Sequence, residues 1–148
     1  MKSIQRTLGV CVFMLGGTAF AASNQPLKPA SDPAYNPATV VDVDGVITGV
    51  RHVPAGSPLE GVHLTLKLKS GSVDVYLAPA DFMRIFRTNF PLGAEVEVIG
   101  SKVKSQNSDV ILTRDVAIGA ATINLRDAGG AENWKNWGVE ADPSTLQN

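Results

Sequence analysis

The stretch that decides the fold runs from Val62 to Leu77 and reads VHLTLKLKSGSVDVYL. Apolar side chains stand at every second position, first in Val62–Leu68 and again in Val73–Leu77. This period of two predicts two strands, each with one buried and one solvated face. Ser70-Gly71 predicts a two-residue turn between them, so the two strands form a hairpin.

The turn also predicts which residues of the hairpin face each other. A turn at Ser70-Gly71 places Leu68 opposite Val73 and Lys67 opposite Asp74. Opposite charges on facing residues support this register, although one such pair contributes only about 0.2–1 kcal/mol. The predicted solvated face of the hairpin consists of His63, Thr65, Lys67, Asp74 and Tyr76.

The segments around the hairpin are also mainly β. A long strand is predicted before it, at Val40–Val53, with a kink at one of its glycines. Residues 54–61 and 104–108 have the composition of loops. Further strands are predicted at Glu95–Val103, Val110–Val116 and Thr122–Arg126.

One helix is predicted between the third and the fourth strand. Pro79 suits the first helical position, and Asp81 in the first turn matches the helix dipole. Asn89 and Pro91 are expected to end the helix. The predicted apolar stripe of this helix consists of Phe82, Ile85 and Phe86.

Five strands with a helix between the third and the fourth are the element order of the OB-fold, a small Greek-key barrel. We therefore predict a mainly β, five-stranded, OB-like barrel over residues 39–127. A plain β-sandwich is the alternative. It would explain the strands, but it usually lacks such a helix.

The two ends of the chain differ from the barrel in composition. Residues 1–21 have a positive start, an apolar stretch and the Ala19-Phe20-Ala21 cleavage pattern of a secretory signal peptide. Residues 22–38 contain four prolines and predict a flexible leader, with Tyr35 as a possible anchor on the domain. Residues 128–148 predict a polar tail, whose Trp134 and Trp137 either pack back on the barrel or dock a partner.

Export predicts a periplasmic or secreted protein with no stable membrane anchor after cleavage. Cleavage after Ala21 removes Cys11, the only cysteine, so the mature chain cannot form a disulfide within itself. It also removes Lys2 and Arg6, which leaves 11 basic against 14 acidic residues and a net charge of −3. A nucleic-acid partner is not expected, because such proteins carry a basic surface.

The residues do not predict an enzyme, a cofactor or a metal site. Neither His52 nor His63 stands near a serine in a nucleophile motif, and no C-x-x-C-H motif exists for haem attachment. A metal-handling role would need His52, His63 and a nearby acid. The candidate ligand-binding residues are therefore those of the solvated hairpin face and the tail: His63, Tyr76, Lys67, Trp134 and Trp137.

Several stretches of the domain resemble small exported bacterial proteins that contain an OB-like barrel. The resemblance rests on GVHLTL at 61–66, VYLAP at 75–79, GAEVEVIGSKV at 93–103 and TINLRD at 122–127. It covers about Val40 to Asp127. Over this range the chain is similar to the OB-like domains of magnetosome-associated proteins, and more distantly to periplasmic bacterial OB-fold proteins. The resemblance implies the fold more strongly than any activity. The sequence departs from the family pattern at Tyr76, where a histidine is expected, and in having two tryptophans after Gly130.

From these observations we expect a non-enzymatic periplasmic binding or accessory module. Its expected partner is an envelope protein or a small polar ligand, bound near His63 and Tyr76 between loops 54–61 and 104–108. A metal-handling accessory protein for copper, zinc or iron is one alternative. A structural or assembly protein is another.

Overall fold

The computed structural model describes residues 31–137, so the predicted signal peptide, the first part of the leader and the last part of the tail lie outside the described residues. A short 3-10 turn, Pro37–Thr39, leads into the first strand. The strands are β1 Val40–Val53, β2 Gly61–Leu68, β3 Gly71–Tyr76, β4 Glu95–Ser105, β5 Ser108–Ile118 and β6 Ala121–Asn124. One helix, α1 Ala80–Arg84, connects β3 to β4.

Five of these strands close into a barrel. β1 pairs antiparallel with β2 and β4, because the long strand changes partner along its length. β3 pairs antiparallel with β2 and parallel with β5, and this parallel contact closes the ring in the order β1-β2-β3-β5-β4. The prediction of a mainly β, five-stranded barrel with one short helix between the third and fourth strands is confirmed. β6 adds to β5 outside this ring.

Two bulges let the strands curve around the barrel. The register of β1 shifts between Ile47 and Gly49, near the predicted kink. The register of β4 shifts between Ile99 and Gly100. A side chain at Gly100 would collide with the Leu112 carbonyl, so the close approach of β4 and β5 requires glycine there.

The predicted hairpin exists, but its predicted register was wrong by two residues. Lys69 and Ser70 form the turn, and Gly71 follows with a φ of 128°. The consequence is that Thr65, and not Lys67, faces Asp74. An even shift keeps every side chain on its predicted face, which explains why the alternation alone could not reveal it.

The helix is shorter than predicted. α1 ends at Arg84, and the chain leaves the helical region at Arg87, whose φ is 51°. Ile85 is 46% exposed, whereas Phe82 and Met83 are buried. The predicted stripe was therefore wrong at Ile85, because one and a half turns of helix bury only the residues next to β2 and the core.

The hairpin between β4 and β5 is tighter than the loop predicted for residues 104–108. Gln106 and Asn107 form the whole turn, with left-handed φ values of 47° and 67°. Asparagine tolerates this conformation. A two-residue turn in which both φ values are positive also matches the twist of the paired strands. Both strands consequently extend further than their hydrophobic cores suggested.

The apolar side chains divide into two clusters. The larger one fills the barrel and includes Leu64, Leu66 and Val75, which are fully buried. Full burial of one such side chain stabilises the fold by about 1.5–3 kcal/mol. The smaller cluster lies on the outside of β2, β3 and β5 and consists of Leu59, Tyr76, Val110 and Leu112. In the part of the chain described, no helix is long and apolar enough to cross a membrane.

Candidate functional site

The outer face of the hairpin is covered where the sequence predicted it to be solvated. His63 is 2% exposed and Tyr76 is 5% exposed. Leu59 of loop 54–61 and Trp134 of the C-terminal segment pack against this face. The prediction of a solvated face was therefore wrong at His63 and Tyr76, since the alternation of one hairpin does not show what other segments place over it.

His63 is held by groups on three neighbouring segments. Its Nε2 lies 2.7 Å from the main-chain oxygen of Leu59, which can only accept, so Nε2 carries the proton. Its Nδ1 lies 3.0 Å from Asp74 Oδ2 and 3.1 Å from Arg51 Nη2. The neutral ring accepts from Arg51 there, and the protonated ring donates to Asp74. Both ring nitrogens are thus engaged within the fold.

The hairpin register brings this group together. His63 lies opposite Tyr76 on β3 and opposite Arg51 on β1, and Asp74 is the diagonal neighbour two residues before Tyr76. Arg51 Nη2 donates to Asp74 Oδ2 at 2.7 Å. Asp74 Oδ1 is buried and has no hydrogen-bond partner within residues 31–137. The Arg51–Asp74 ion pair joins β1 to β3, and His63 on β2 is hydrogen-bonded to this pair.

Tyr76 lies at the centre of the covered face. Its ring is 5.1 Å from the His63 ring and 6.2 Å from the Trp134 ring, the latter edge-on. Its hydroxyl donates to the Glu60 main-chain oxygen at 3.1 Å. Burial raises the pKa of Tyr76 well above its ordinary value. The side chain is therefore a neutral hydrogen-bond donor at physiological pH.

Arg126 is a buried cation beside these rings. Its side chain is 2% exposed, and its Nη1 donates to the Thr113 main-chain oxygen at 2.6 Å. Glu132 lies 3.7 Å from its Nη2, and the guanidinium carbon lies 4.5 Å from the centre of the Trp134 ring. Burial lowers the pKa of Arg126, while Glu132 opposes this shift. An arginine remains charged even so.

The two terminal segments form the walls of the site. Asp32 accepts a hydrogen bond from the Leu59 main-chain N–H at 2.6 Å, and Asn36 binds Ser101 through its own N–H at 3.0 Å. Tyr35 packs against Gly130, where a side chain would collide with the Tyr35 ring. Residues 31–36 and 127–137 therefore lie against each other and against the barrel.

Between these walls is an open cleft of about 860 Å³. Tyr76, Trp134 and Arg126 form part of its lining. Its charged groups are three carboxylates and two cations, namely Asp32, Glu60, Glu132, Arg126 and Lys135. Both cations contact Glu132. We call this feature the terminal cleft. Because Glu132 pairs with both cations, the charge that the cleft offers to a ligand comes mainly from Asp32 and Glu60.

The structure brings some of the predicted site residues together and separates others. His63, Tyr76 and Trp134 form one connected aromatic group. Trp137 lies beside it against Phe82, with ring centres 5.9 Å apart, and is 48% exposed. Lys67 is exposed and lines a different cleft with Asp44 and Glu95.

The histidines of the metal alternative do not meet. His63 pairs with Arg51 across the β1–β2 ladder, whereas His52 pairs with Val62. Neighbouring residues of a strand point to opposite faces of the sheet, so the two imidazoles lie on opposite faces. Within residues 31–137 no group of three histidine, cysteine or acidic side chains is placed to hold a metal ion.

A family model described as the MamS/MamX magnetosome protein family matches residues 39–123, more than half of the chain. The chain belongs to this family. No curated protein is similar enough to count as a match. The MamS/MamX match begins just before β1 and ends within β6, before Arg126 and the segment that forms one wall of the terminal cleft.

Sequence reasoning missed several residues of the site. Asp32 lies in the predicted flexible leader, Glu132 lies in the predicted polar tail, and Arg126 ends a predicted strand. The sequence carried one signal for Arg126. Apolar and polar residues alternate up to Leu125, and Arg126 follows directly. An arginine at the surface of a barrel can stack on nearby aromatic rings. Nothing in the sequence indicated that the two terminal segments meet.

Proposed function

We propose that this MamS/MamX family member is a non-enzymatic accessory module of the magnetosome in the cell envelope. In this proposal the domain is an OB-like barrel that is exported to the periplasm. The strand order β1-β2-β3-β5-β4 and the helix between β3 and β4 support the OB-like assignment. The signal-like residues 1–21 support export.

We further propose that the terminal cleft binds a positively charged group, carried by an envelope protein or by a small polar ligand. The observation that carries this proposal is the pair Asp32 and Glu60. Each has one oxygen bound to a main-chain N–H, at 2.6 Å from Leu59 and 2.7 Å from Gly56, which fixes the carboxylate in place. Within residues 31–137 no hydrogen bond involves their second oxygens, and both residues line the cleft together with Tyr76 and Trp134. A fixed carboxylate beside an aromatic surface suits an ammonium or guanidinium group.

The bonding of His63 supports a binding role over catalysis. A general base needs a free nitrogen within reach of the substrate proton. Nε2 of His63 is bound to the Leu59 oxygen, and the ring is 2% exposed. We therefore assign His63 to holding loop 54–61, and with it Glu60, in position through the Leu59 oxygen.

The test is a titration of ¹⁵N-labelled protein, produced from the whole coding sequence, with N-acetyl-lysine methylamide. N-acetyl-norleucine methylamide is the matched uncharged probe. We expect the lysine probe to shift the Trp134 indole N–H signal, and the norleucine probe to shift it at least fivefold less. The double variant Asp32→Asn, Glu60→Gln keeps both main-chain hydrogen bonds and should lose the response.

The control is Asp42→Asn with Glu97→Gln, which removes the same charge from the exposed surface of β1 and β4. It should respond like the unmodified protein. Equal responses to both probes, or a response to the lysine probe that survives the Asp32, Glu60 double variant, would contradict the proposal.

A further inference from the structure

We propose that β1 has a second binding site, at Val50–Val53, which takes an extended peptide with alternating aliphatic and acidic side chains as an added strand. This site is separate from the terminal cleft. It lies beside α1, where β1 is no longer paired with β4. A free edge exists there only if main-chain groups of β1 point away from β2.

The bonds of Val62 determine that direction. Its N–H donates to Ala78 and its oxygen accepts from Leu77, both at 2.9 Å. In an antiparallel ladder, the N–H and the C=O of one residue point to the same side. Both groups of Val62 therefore point away from β1. His52, its partner on β1, therefore belongs to a non-hydrogen-bonded pair. The N–H and C=O of His52 point away from β2.

The same geometry applies to Val50. It pairs with Leu64, which lies two residues from Val62 and has the same orientation. On the side away from β2, the pairing of β1 with β4 ends at Val46, and Ile47 makes the last main-chain bonds there, with Gly93 and Ala94. Within residues 31–137, no main-chain hydrogen bond reaches Val50 or His52 from that side. This is an open strand edge, and such an edge pairs readily with another extended chain.

An apolar groove of about 530 Å³ runs beside this edge. Its apolar lining includes Val50, which is 40% exposed, and Phe90, which is half-buried, whereas Val62 and Met83 are already buried. A strand added to β1 would direct alternate side chains into this groove. Aliphatic side chains at those positions would bury apolar surface that is now partly wet.

The positive charge around the groove favours a peptide of net negative charge, whichever face of the added strand carries its carboxylates. Arg84 and Arg87 both line it, together with His52. Arg84 pairs with Asp81, and Arg87 has no ion-pair partner within residues 31–137. The lining contains no carboxylate. A second copy of the chain is disfavoured, because symmetric pairing of this edge would bring the same arginines of both copies together.

The probe is a fluorescein-labelled peptide of alternating residues, EVEVEVE, with KVKVKVK as the matched basic peptide. Fluorescence polarisation with the whole chain should show at least tenfold tighter binding of the acidic peptide. Arg87→Glu should weaken that binding at least tenfold. Lys69→Glu makes the same charge change at the exposed β2–β3 turn and should leave it within twofold.

Amide exchange identifies the mode of binding. Saturating EVEVEVE should slow the exchange of the Val50 and His52 amides at least tenfold, because these two would become hydrogen-bonded to the added strand. The Arg51 amide, which faces β2, should change less than twofold.

Several results would overturn the proposal. One is the absence of binding at millimolar peptide, and another is binding without protection of these two amides. Protection that rises with protein concentration in the absence of peptide would assign the edge to a second copy. Protection present in the free chain and lost in a variant that ends at Trp137 would assign it to the chain's own residues 138–148.

Discussion

Arg126 and Trp134 join the C-terminal segment to the barrel, with the guanidinium carbon 4.5 Å from the centre of the indole ring. The same guanidinium carbon lies 5.5 Å from the centre of the Tyr76 ring, so the cation lies near two aromatic rings. Its hydrogen bond to Thr113 fixes it to β5. The contact therefore holds a segment outside the MamS/MamX match against the strands inside it.

The first prediction concerns removal of this cation. Arg126→Met should lower the free energy of unfolding by about 2–4 kcal/mol, because the Thr113 oxygen loses its buried donor and both aromatic contacts are lost. Urea unfolding followed by tryptophan fluorescence measures it. Lys135→Met, which removes the exposed partner of Glu132, should change stability by less than about 0.5 kcal/mol. Equal effects of the two variants would contradict the buried role of Arg126.

The second prediction concerns Tyr76 and alkaline pH. Burial raises the pKa of Tyr76 in the folded state, so above the unfolded pKa of about 10 the unfolded chain releases a proton that the folded chain keeps. The free energy of unfolding should therefore be constant with respect to this group below pH 10 and fall above it, by up to about 1.4 kcal/mol per pH unit.

Tyr76→Phe isolates that effect. The variant should lose about 1 kcal/mol at neutral pH, because the hydrogen bond to the Glu60 oxygen is absent. Above pH 10 its stability should fall less steeply than that of the unmodified chain. Parallel pH profiles of the two proteins would show that Tyr76 titrates as an exposed phenol.

The third prediction concerns the contact of the two terminal segments at Gly130. This residue has a φ of 93°, and an added side chain would collide with Tyr35. Gly130→Ala should lower stability by about 2–4 kcal/mol, combining backbone strain with overpacking. Gly119 has a φ of 58° and open space around it. Gly119→Ala should therefore lower the free energy of unfolding by only about 1–2 kcal/mol. Similar losses in both variants would contradict the packing of Tyr35 on Gly130.

The fourth prediction tests the register of the hairpin. In a double-mutant cycle, Arg51→Ala and Asp74→Ala should couple by about 0.5–1 kcal/mol, since their side chains are in contact and Arg51 is half exposed. Lys67→Ala and Asp74→Ala should be additive within about 0.3 kcal/mol. Coupling of Lys67 with Asp74, and none of Arg51 with Asp74, would support the register that the sequence first predicted.

The fold was accessible from sequence because its signals are local. Alternation in residues 62–68 and 73–77 identifies the hairpin, and Pro79 with Phe82 identifies the helix. The register was not accessible, because a shift of two residues preserves the faces and only the left-handed Gly71 after a Lys69-Ser70 turn decides it. The length of α1 depends on Arg87, whose left-handed φ no propensity predicts.

The site was accessible only in part, because it is built from distant segments. His63, Tyr76 and Trp134 were identified as candidates, but their burial depends on Leu59 and on the terminal segments. Asp32 and Leu59 are joined by a hydrogen bond across 27 positions of the chain, and a local pattern carries no information about such a contact. The proline-rich composition before Tyr35 excludes regular structure without excluding a fixed position on the barrel.

The terminal cleft exists only if the C-terminal segment lies over β3, and aromatic nuclear Overhauser effects measure that position directly. The Trp134 and Tyr76 ring centres are 6.2 Å apart in an edge-on arrangement, and those of Trp134 and Phe82 are 5.8 Å apart. We expect cross-peaks from the Trp134 indole protons to the ring protons of both Tyr76 and Phe82. Their absence, with Trp134 signals typical of a solvent-exposed indole, would contradict the terminal cleft and the function proposed for it.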